Sequence, residues 1–238
     1  MLPFFLSLHS PKDTMEAELI QFLSGFVTPE RLVLFNKILS LRTNYLLVVL
    51  EDLYQTQNTS AVLRTADCFG IQNVHVIENK HVFQVNPDVV RGASNWVTVT
   101  RHNGKEMNTP DALQNLRKEG YRIVVATPHD HDVDLEKFDL EKGKAALVFG
   151  CERPGLSEWA KKEADEYMKI PMAGFTESLN VSVAVAITLH HLTHLLRNHT
   201  DIDWHLTDHE KQELLLDWLR TSIKRVDLLE EKFKELNK

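Results

Sequence analysis

Between residues 45 and 171 the chain repeats one pattern: a short apolar run, a polar break, then a stretch with helical spacing. The runs fall at 45–50, 73–78, 96–100, 121–127, 144–149 and 167–171. Several are β-branched and hardly alternate between apolar and polar residues. A strand with one wet face alternates; a strand covered on both faces does not. Covered strands separated by helices predict an α/β domain built on a largely parallel sheet.

Both ends of the chain read differently. Residues 13–42 carry Leu19, Ile20, Leu23 and Phe26 at helical spacing. A second helix is expected from Thr28-Pro29-Glu30, where threonine caps the free amides and proline suits the first helical position. Leu179 to Arg197 forms one long apolar-to-amphipathic segment. Thr207-Asp208-His209-Glu210 has the form of a capping box. Beyond it Leu215, Leu219, Val226, Leu229, Phe233 and Leu236 form an apolar stripe among charges. Such a stripe predicts packing on the chain's own helices, with the two terminal helical regions against each other. The expected organisation is a helical extension over 1–44, an α/β domain over 45–198 and a second helical extension over 199–238.

Composition narrows the function classes. With 238 residues and 43% hydrophobic content, one large core is affordable. The net charge of -7 counts against a nucleic-acid binder, although local fields rather than net charge decide where phosphate docks. Cys68 and Cys151 belong to no Cys-x-x-Cys pair, which argues against structural zinc or a disulfide framework and for a reducing cytoplasm. The apolar start, Met1 to His9, lacks a basic leader and is not read as a signal peptide. No apolar run is long enough to span a bilayer.

Three segments carry candidate chemistry. Asn58-Thr59-Ser60-Ala61-Val62-Leu63-Arg64 follows the strand at 45–50 and the acidic pair Glu51-Asp52. Polar groups at the C-terminal end of a buried parallel strand lie where open α/β sheets bind ligands, and an amide with a guanidinium suits a phosphate or ribose. Leu147 to Ser157 places Gly150 at a strand end, where glycine lets a ligand approach the backbone. Glu152 there could bond a hydroxyl or amine; alone, the segment reads equally as an ordinary turn with a solvated glutamate. In the third segment Ser178 and Asn180 open a helix, whose free amides and dipole attract anions, or Asn180 is a simple cap or a core-facing amide.

Together the segments read Asn-x5-Arg-x-Ala-x2-Phe-Gly, Phe-Gly-x-Glu-x2-Gly-Leu-Ser and Ile-Pro-Met-x5-Ser-Leu-Asn-Val-Ser-x-Ala, in that order, each after a strand. This resembles the three motifs of the SpoU/TrmH family of S-adenosyl-L-methionine-dependent RNA ribose 2′-O-methyltransferases, in the SPOUT superfamily. The resemblance covers about residues 28–200, including Arg31 to Arg42 and Arg91-Gly92-Ala93-Ser94. It implies an α/β fold with a trefoil knot at the C-terminal end of the sheet, a feature otherwise nearly absent from proteins. S-adenosyl-L-methionine would lie there against Thr127, Gly150, Ile170, Met172 and Leu179.

The resemblance gives Arg64 the catalytic role, sometimes as a general base. Arginine does not readily deprotonate, so binding the target phosphate and stabilising alkoxide charge is the gentler reading. A surface pair of Arg64 with Glu51 or Asp67 is the structural alternative. Asn58 would orient Arg64 or its loop, and Glu152, Ser178 and Asn180 would line the cleft. The implied partners are tRNA and a second copy of the chain, with Arg64 of one subunit serving the other's donor. The terminal helices point to the branch that methylates a D-loop guanosine, at position 18. Arg31, Arg42, Arg64, Arg153 and Arg197 are the candidate phosphate contacts.

Three other readings compete. They are ribose methylation at another tRNA or rRNA nucleotide, RNA binding without catalysis, and a nucleotide-dependent oxidoreductase. No Gly-x-Gly-x-x-Gly follows the first strand, which disfavours the last. His190, His191 and His194 have metal-like spacing but lack a carboxylate pattern and are expected to be solvated or core residues; no metal is expected. His129-Asp130-His131-Asp132 is a polar loop at the rim of the expected donor site, and Cys151 is expected to be small and buried.

Overall fold

The computed structural model describes residues 11–128, 132–151, 154–199 and 201–237. The chain divides into two compact units, one joining the segments up to Leu41 and from Leu206, the other running Arg42–His205.

The first unit is helical. Its elements are α1 (Pro11–Ser24), α2 (Pro29–Leu39), α8 (Asp208–Ser222) and α9 (Val226–Leu236). The helical stretch expected over 13–42 is broken at Gly25–Thr28, and Thr28 caps α2 by accepting from the Arg31 amide at 3.3 Å. The capping box at Thr207 and Glu210 is present in full. N- and C-terminal helices pack on each other through Phe35 on Trp218 and Phe22 on Phe233, with ring centroids 5.5 and 5.4 Å apart. The expected apolar stripe is interrupted. Arg225 takes a left-handed conformation (φ 55°) between α8 and α9, so the helical register resets there. In α8 Leu214, Leu216, Trp218 and Leu219 are buried; in α9 Phe233 is buried and Leu236 is exposed.

The second unit is a seven-stranded, wholly parallel sheet in the order β3-β2-β1-β6-β4-β7-β5. The strands are β1 (Leu46–Glu51), β2 (Asn73–Ile77), β3 (Thr98–His102), β4 (Arg122–Ala126), β5 (Val133–Asp134), β6 (Ala145–Gly150) and β7 (Glu166–Lys169). The two-residue β5 is too short to leave a periodic signal. The strand expected at 96–100 starts two residues later, because Ala93–Asn95 forms a tight turn before it. The helices are α3 (Thr56–Phe69), α4 (Pro87–Val90), α5 (Thr109–Lys118), α6 (Glu158–Lys162) and α7 (Val181–Asn198).

The missing alternation in β1 now has its reason. Leu46, Val48 and Leu50 pack with Val62, Leu63 and Ala66 of α3 and with Val185, Leu189 and Leu192 of α7. Leu47 and Val49 face the other way, onto Ala112, Leu113 and Leu116 of α5. Both faces are dry, so both sets must be apolar. No helix among the described residues is long and apolar enough to cross a membrane.

One cation expected to meet phosphate is instead part of this core. Arg42 is 1% exposed, pairs with the Asp67 carboxylate and donates to the Ile71 carbonyl at 3.5 Å. It cannot reach a phosphate from there. Asp67→Ala strands a buried guanidinium, so urea unfolding should show a loss of about 3 kcal/mol. A loss below about 1 kcal/mol would show that solvent, not Asp67, satisfies Arg42.

A second buried polar pair links adjacent strands. His75 Nδ1 and His102 Nε2 lie 2.9 Å apart with the rings stacked. Burial, and then the neighbouring His102, pushes His75 from the usual 6.5 down to about 4. Between those two values the unfolded chain takes up a proton that the folded chain refuses, so stability falls as pH drops through that window. From pH 7 to pH 4 the His75 contribution is a loss of roughly 3 kcal/mol. In His75→Gln the pH dependence of the urea midpoint should flatten between pH 6.5 and 4; an unchanged slope would assign it to other groups.

Candidate ligand cavity and cation at the sheet end

The end of β1 sets the geometry. Glu51 lies in register with Gly150 of β6 and Ile77 of β2. Its carboxylate is 1% exposed. It accepts from the Thr109 hydroxyl at 2.5 Å, the Ser157 amide at 2.8 Å and the Ser157 hydroxyl at 2.6 Å. These charge-assisted bonds fix the start of α5 and the cap of α6 at one point. Sequence reasoning assigns Glu51 no such role; its one signal is an acid closing an otherwise apolar strand.

Asn58, on the first turn of α3, is buried. Its amide nitrogen donates to Gln55 Oε1 at 2.9 Å, and its oxygen accepts from Asn180 Nδ2 at 3.1 Å. Asn180 caps α7, its oxygen accepting from the Ser182 amide at 2.9 Å and the Ser182 hydroxyl at 2.6 Å. The first and third candidate segments are therefore joined side chain to side chain. Of the bland alternatives for Asn180, the cap is present, but the amide also reaches across to another helix.

Arg64 is exposed on the same helix as Asn58. The surface pair with Glu51 or Asp67 does not form. Glu51 is occupied by Thr109 and Ser157, and Asp67 by Arg42.

Beside this lies a cavity of about 330 Å³ at the C-terminal ends of β4, β6 and β7. Its wall contains all of Thr127, Gly150, Ile170, Met172 and Leu179, together with Ser178. Phe149, Cys151, Leu156 and Val181 add apolar surface, and Lys161 is the one charged side chain among the described lining residues. Thr127 is held by its amide on the Met168 carbonyl at 2.9 Å and by its hydroxyl on Asp132. Thr188 of α7 is buried in the wall, and its hydroxyl has no partner among the described residues.

Gly150 is required for a reason other than ligand approach. A Cβ there would sit 2.6 Å from the Gly155 carbonyl carbon and 2.6 Å from the Leu156 amide nitrogen. The chain's own returning loop fills the space. Gly155 makes that return in a left-handed conformation (φ 88°) that favours glycine.

The remaining expected residues are dispersed. Glu152, Arg153 and the segment 129–131 lie outside the described residues. Arg31 is in the helical unit, donates to the Ser222 hydroxyl at 3.3 Å and lies over the Phe35 ring. Arg197 donates to the Phe69 carbonyl at 2.7 Å and lies over the Trp204 ring; burial lowers its pKa. His190 meets the Phe69 ring edge-on, and no group of three or more potential metal-binding side chains occurs among the described residues. Cys151 is buried, as expected.

A parallel sheet with a half-open, largely apolar cavity at its strand ends and a few fixed polar groups is the arrangement in which open α/β sheets bind small molecules. Comparison with known proteins is more specific. Residues 45–190 match the SpoU rRNA Methylase family. A relative in Borreliella burgdorferi, named tRNA (guanosine(18)-2'-O)-methyltransferase, is 41% identical over 211 residues, covering 89% of this chain and 94% of that protein. The crystal structure of the A. aeolicus TrmH/SpoU tRNA modifying enzyme superposes with a TM-score of 0.71 at 27% identity, covering 82% of this chain and 98% of that one. The SpoU methyltransferase AviRb from Streptomyces viridochromogenes, in complex with AdoMet, has a TM-score of 0.55 at 25% identity over 68% of this chain and 61% of that one. The chain belongs to the SpoU methylase family.

The close approach at Gly150 yields a test. Gly150→Ala forces backbone apart on the cavity floor, so thermal unfolding should show about 1–3 kcal/mol of destabilisation together with loss of ligand binding. Wild-type stability in this variant would mean the returning loop is free to move away.

Proposed function

We propose that this protein transfers a methyl group from S-adenosyl-L-methionine to a ribose 2′-hydroxyl of tRNA, at the guanosine of position 18. The observation that carries the reading is the cavity itself, whose wall gathers residues of the second and third motifs while the Asn58–Asn180 bond brings the first motif to them. The name of the Borreliella burgdorferi relative supports the substrate, and the AdoMet complex of AviRb supports the cofactor.

The residues present suit that cofactor. Thr127 and main-chain atoms around Ala126, Gly150 and Gly155 offer polar groups to a purine and ribose. Leu156, Ile170, Met172 and Leu179 offer aliphatic cover, and the Thr188 hydroxyl lacks a partner among the described residues. When bound, S-adenosyl-L-methionine supplies an electrophilic methyl group on a sulfonium. The protein's part is positioning and electrostatics. Arg64 binds the RNA phosphate and stabilises negative charge developing on the 2′-oxygen. Asn58 and Asn180 hold the helix starts on either side of the cleft. Ser178 lines it, the apolar wall excludes water, and Glu152 keeps in this reading the role of bonding a hydroxyl or amine of the substrate.

The same reading includes a trefoil crossing of the chain at the sheet end and a homodimer in which Arg64 serves the partner's cavity. Exposed apolar residues Met172, Phe175, Val183 and Ile187, at and just before the start of α7, give such a dimer something to bury. Arg31, Arg153 and Arg197 are further phosphate contacts in this reading; Arg42 is not. The cytoplasm is the compartment that this reading, with its tRNA substrate, implies.

Tritiated methyl transfer to bulk tRNA tests the proposal. Arg64→Ala should lower incorporation by about 100-fold or more while calorimetry shows unchanged S-adenosyl-L-methionine binding. Equal incorporation by both proteins would remove Arg64 from the mechanism. Incorporation by wild type into rRNA but not tRNA would overturn the substrate.

A further inference from the structure

The loop after β1 and the loop after β2 meet at the same sheet end as the cavity, and they carry an exposed aromatic pair that the methyl-transfer reading does not use. Tyr54 is 51% exposed, and its ring centroid lies 5.7 Å from that of His81, with the planes tilted by 53°. His81, Lys80 and Val82 are exposed beside it.

Both loops are held rigidly. Asp52 adopts a left-handed conformation (φ 53°), which costs energy for a residue with a Cβ. In that conformation its carboxylate accepts from the amides of Asn79 at 2.8 Å, Lys80 at 2.8 Å and His81 at 3.4 Å. Glu78 secures the other side of the loop. It accepts from the Phe83 amide at 2.6 Å and holds Arg101 by two bonds of 2.8 and 2.9 Å. The strained Asp52 and the buried Glu78 carboxylate therefore hold the loops that present these rings to solvent.

The pair is also wired to the candidate site. The Tyr54 hydroxyl accepts from Gln55 Nε2 at 3.0 Å, Gln55 Oε1 from Asn58 at 2.9 Å, and Asn58 Oδ1 from Asn180 at 3.1 Å. Asn180 follows directly on Ser178 and Leu179 of the cavity wall.

We propose that Tyr54 and His81, with Lys80 at their edge, form a stacking platform for an unstacked RNA base next to the nucleotide being methylated. The inference rests on the proposed RNA substrate. A ribose hydroxyl in a folded loop reaches a recessed cleft only if the neighbouring bases leave their stack, and exposed aromatic rings are what proteins offer such bases. An ammonium beside the rings suits the flanking phosphate. A protein partner fits less well, because Lys80 and Asn79 interrupt the apolar surface.

Binding of a fluorescein-labelled, unmodified tRNA transcript to the full chain tests this. Tyr54→Ala should weaken binding about tenfold, with melting temperature and S-adenosyl-L-methionine affinity unchanged. The slope of log K against log salt should also be unchanged, since no phosphate contact is lost. Tyr54→Phe should bind within about twofold of wild type, because it keeps the ring and loses only the hydroxyl bonded to Gln55. Weakening by Tyr54→Phe equal to that by Tyr54→Ala would make the hydrogen-bond chain responsible and overturn the platform. So would wild-type affinity in Tyr54→Ala, or a salt slope reduced by about one. A wild-type protein that methylates tRNA beside an equally active Tyr54→Ala sinks the platform alone; a wild type that neither binds nor methylates the transcript sinks both readings.

Discussion

A carboxylate sealed from water at the end of β1 organises this molecule. Burying Glu51 would be costly if it stood alone, but three short donors from Thr109 and Ser157 offset the lost hydration. Those donors belong to segments far apart in the chain. By gathering them, Glu51 fixes the entrance of α5 and the cap of α6 at the edge of the central strands. Gly150 is its register partner. The loop that returns to Ser157 passes so close to Gly150 that no side chain fits there. The cavity floor is therefore shaped by main-chain packing, and the cavity opens where β6 runs out.

The charges of the second unit divide into two kinds. Arg42, Asp67, Glu51 and Glu78 are buried or partly buried and spend their capacity inside the protein. Arg64 stands exposed on α3, and the two carboxylates expected to pair with it, Glu51 and Asp67, are engaged elsewhere. An exposed guanidinium on a rigid helix, whose first turn is tied to the cap of α7, can meet an anionic ligand without first breaking those ion pairs. Net charge does not report on such an arrangement, because local fields decide where an anion docks.

Much of this was legible in the sequence. Apolar runs mark six of the seven strands, and lack of alternation marks those buried on both faces, such as β1 and β6; β3 and β7 are partly exposed, and β5, with two residues, leaves no run. The capping residues Thr28 and Thr207 mark their helices because free amides at a helix start need an acceptor. The spacing of Asn58, Gly150 and Asn180 marks the motifs. Arg42 shows the limit. Nothing local separates it from an exposed arginine, and only the packing of Asp67 and Ile71 around it shows that it is structural.

What the sequence determined by itself is the order and type of the elements and the residues that close each strand, because burial imposes a period of two or 3.6 on nearby positions. What tertiary structure decided is which strand ends become neighbours. Insertion of β6 between β1 and β4 puts Glu51 beside Gly150, and α7 returns so that Asn180 bonds Asn58 from 122 residues away. Those meetings depend on long-range packing, which leaves no periodic trace along the chain. The same is true of the rings of Tyr54 and His81, which two separate loops bring together.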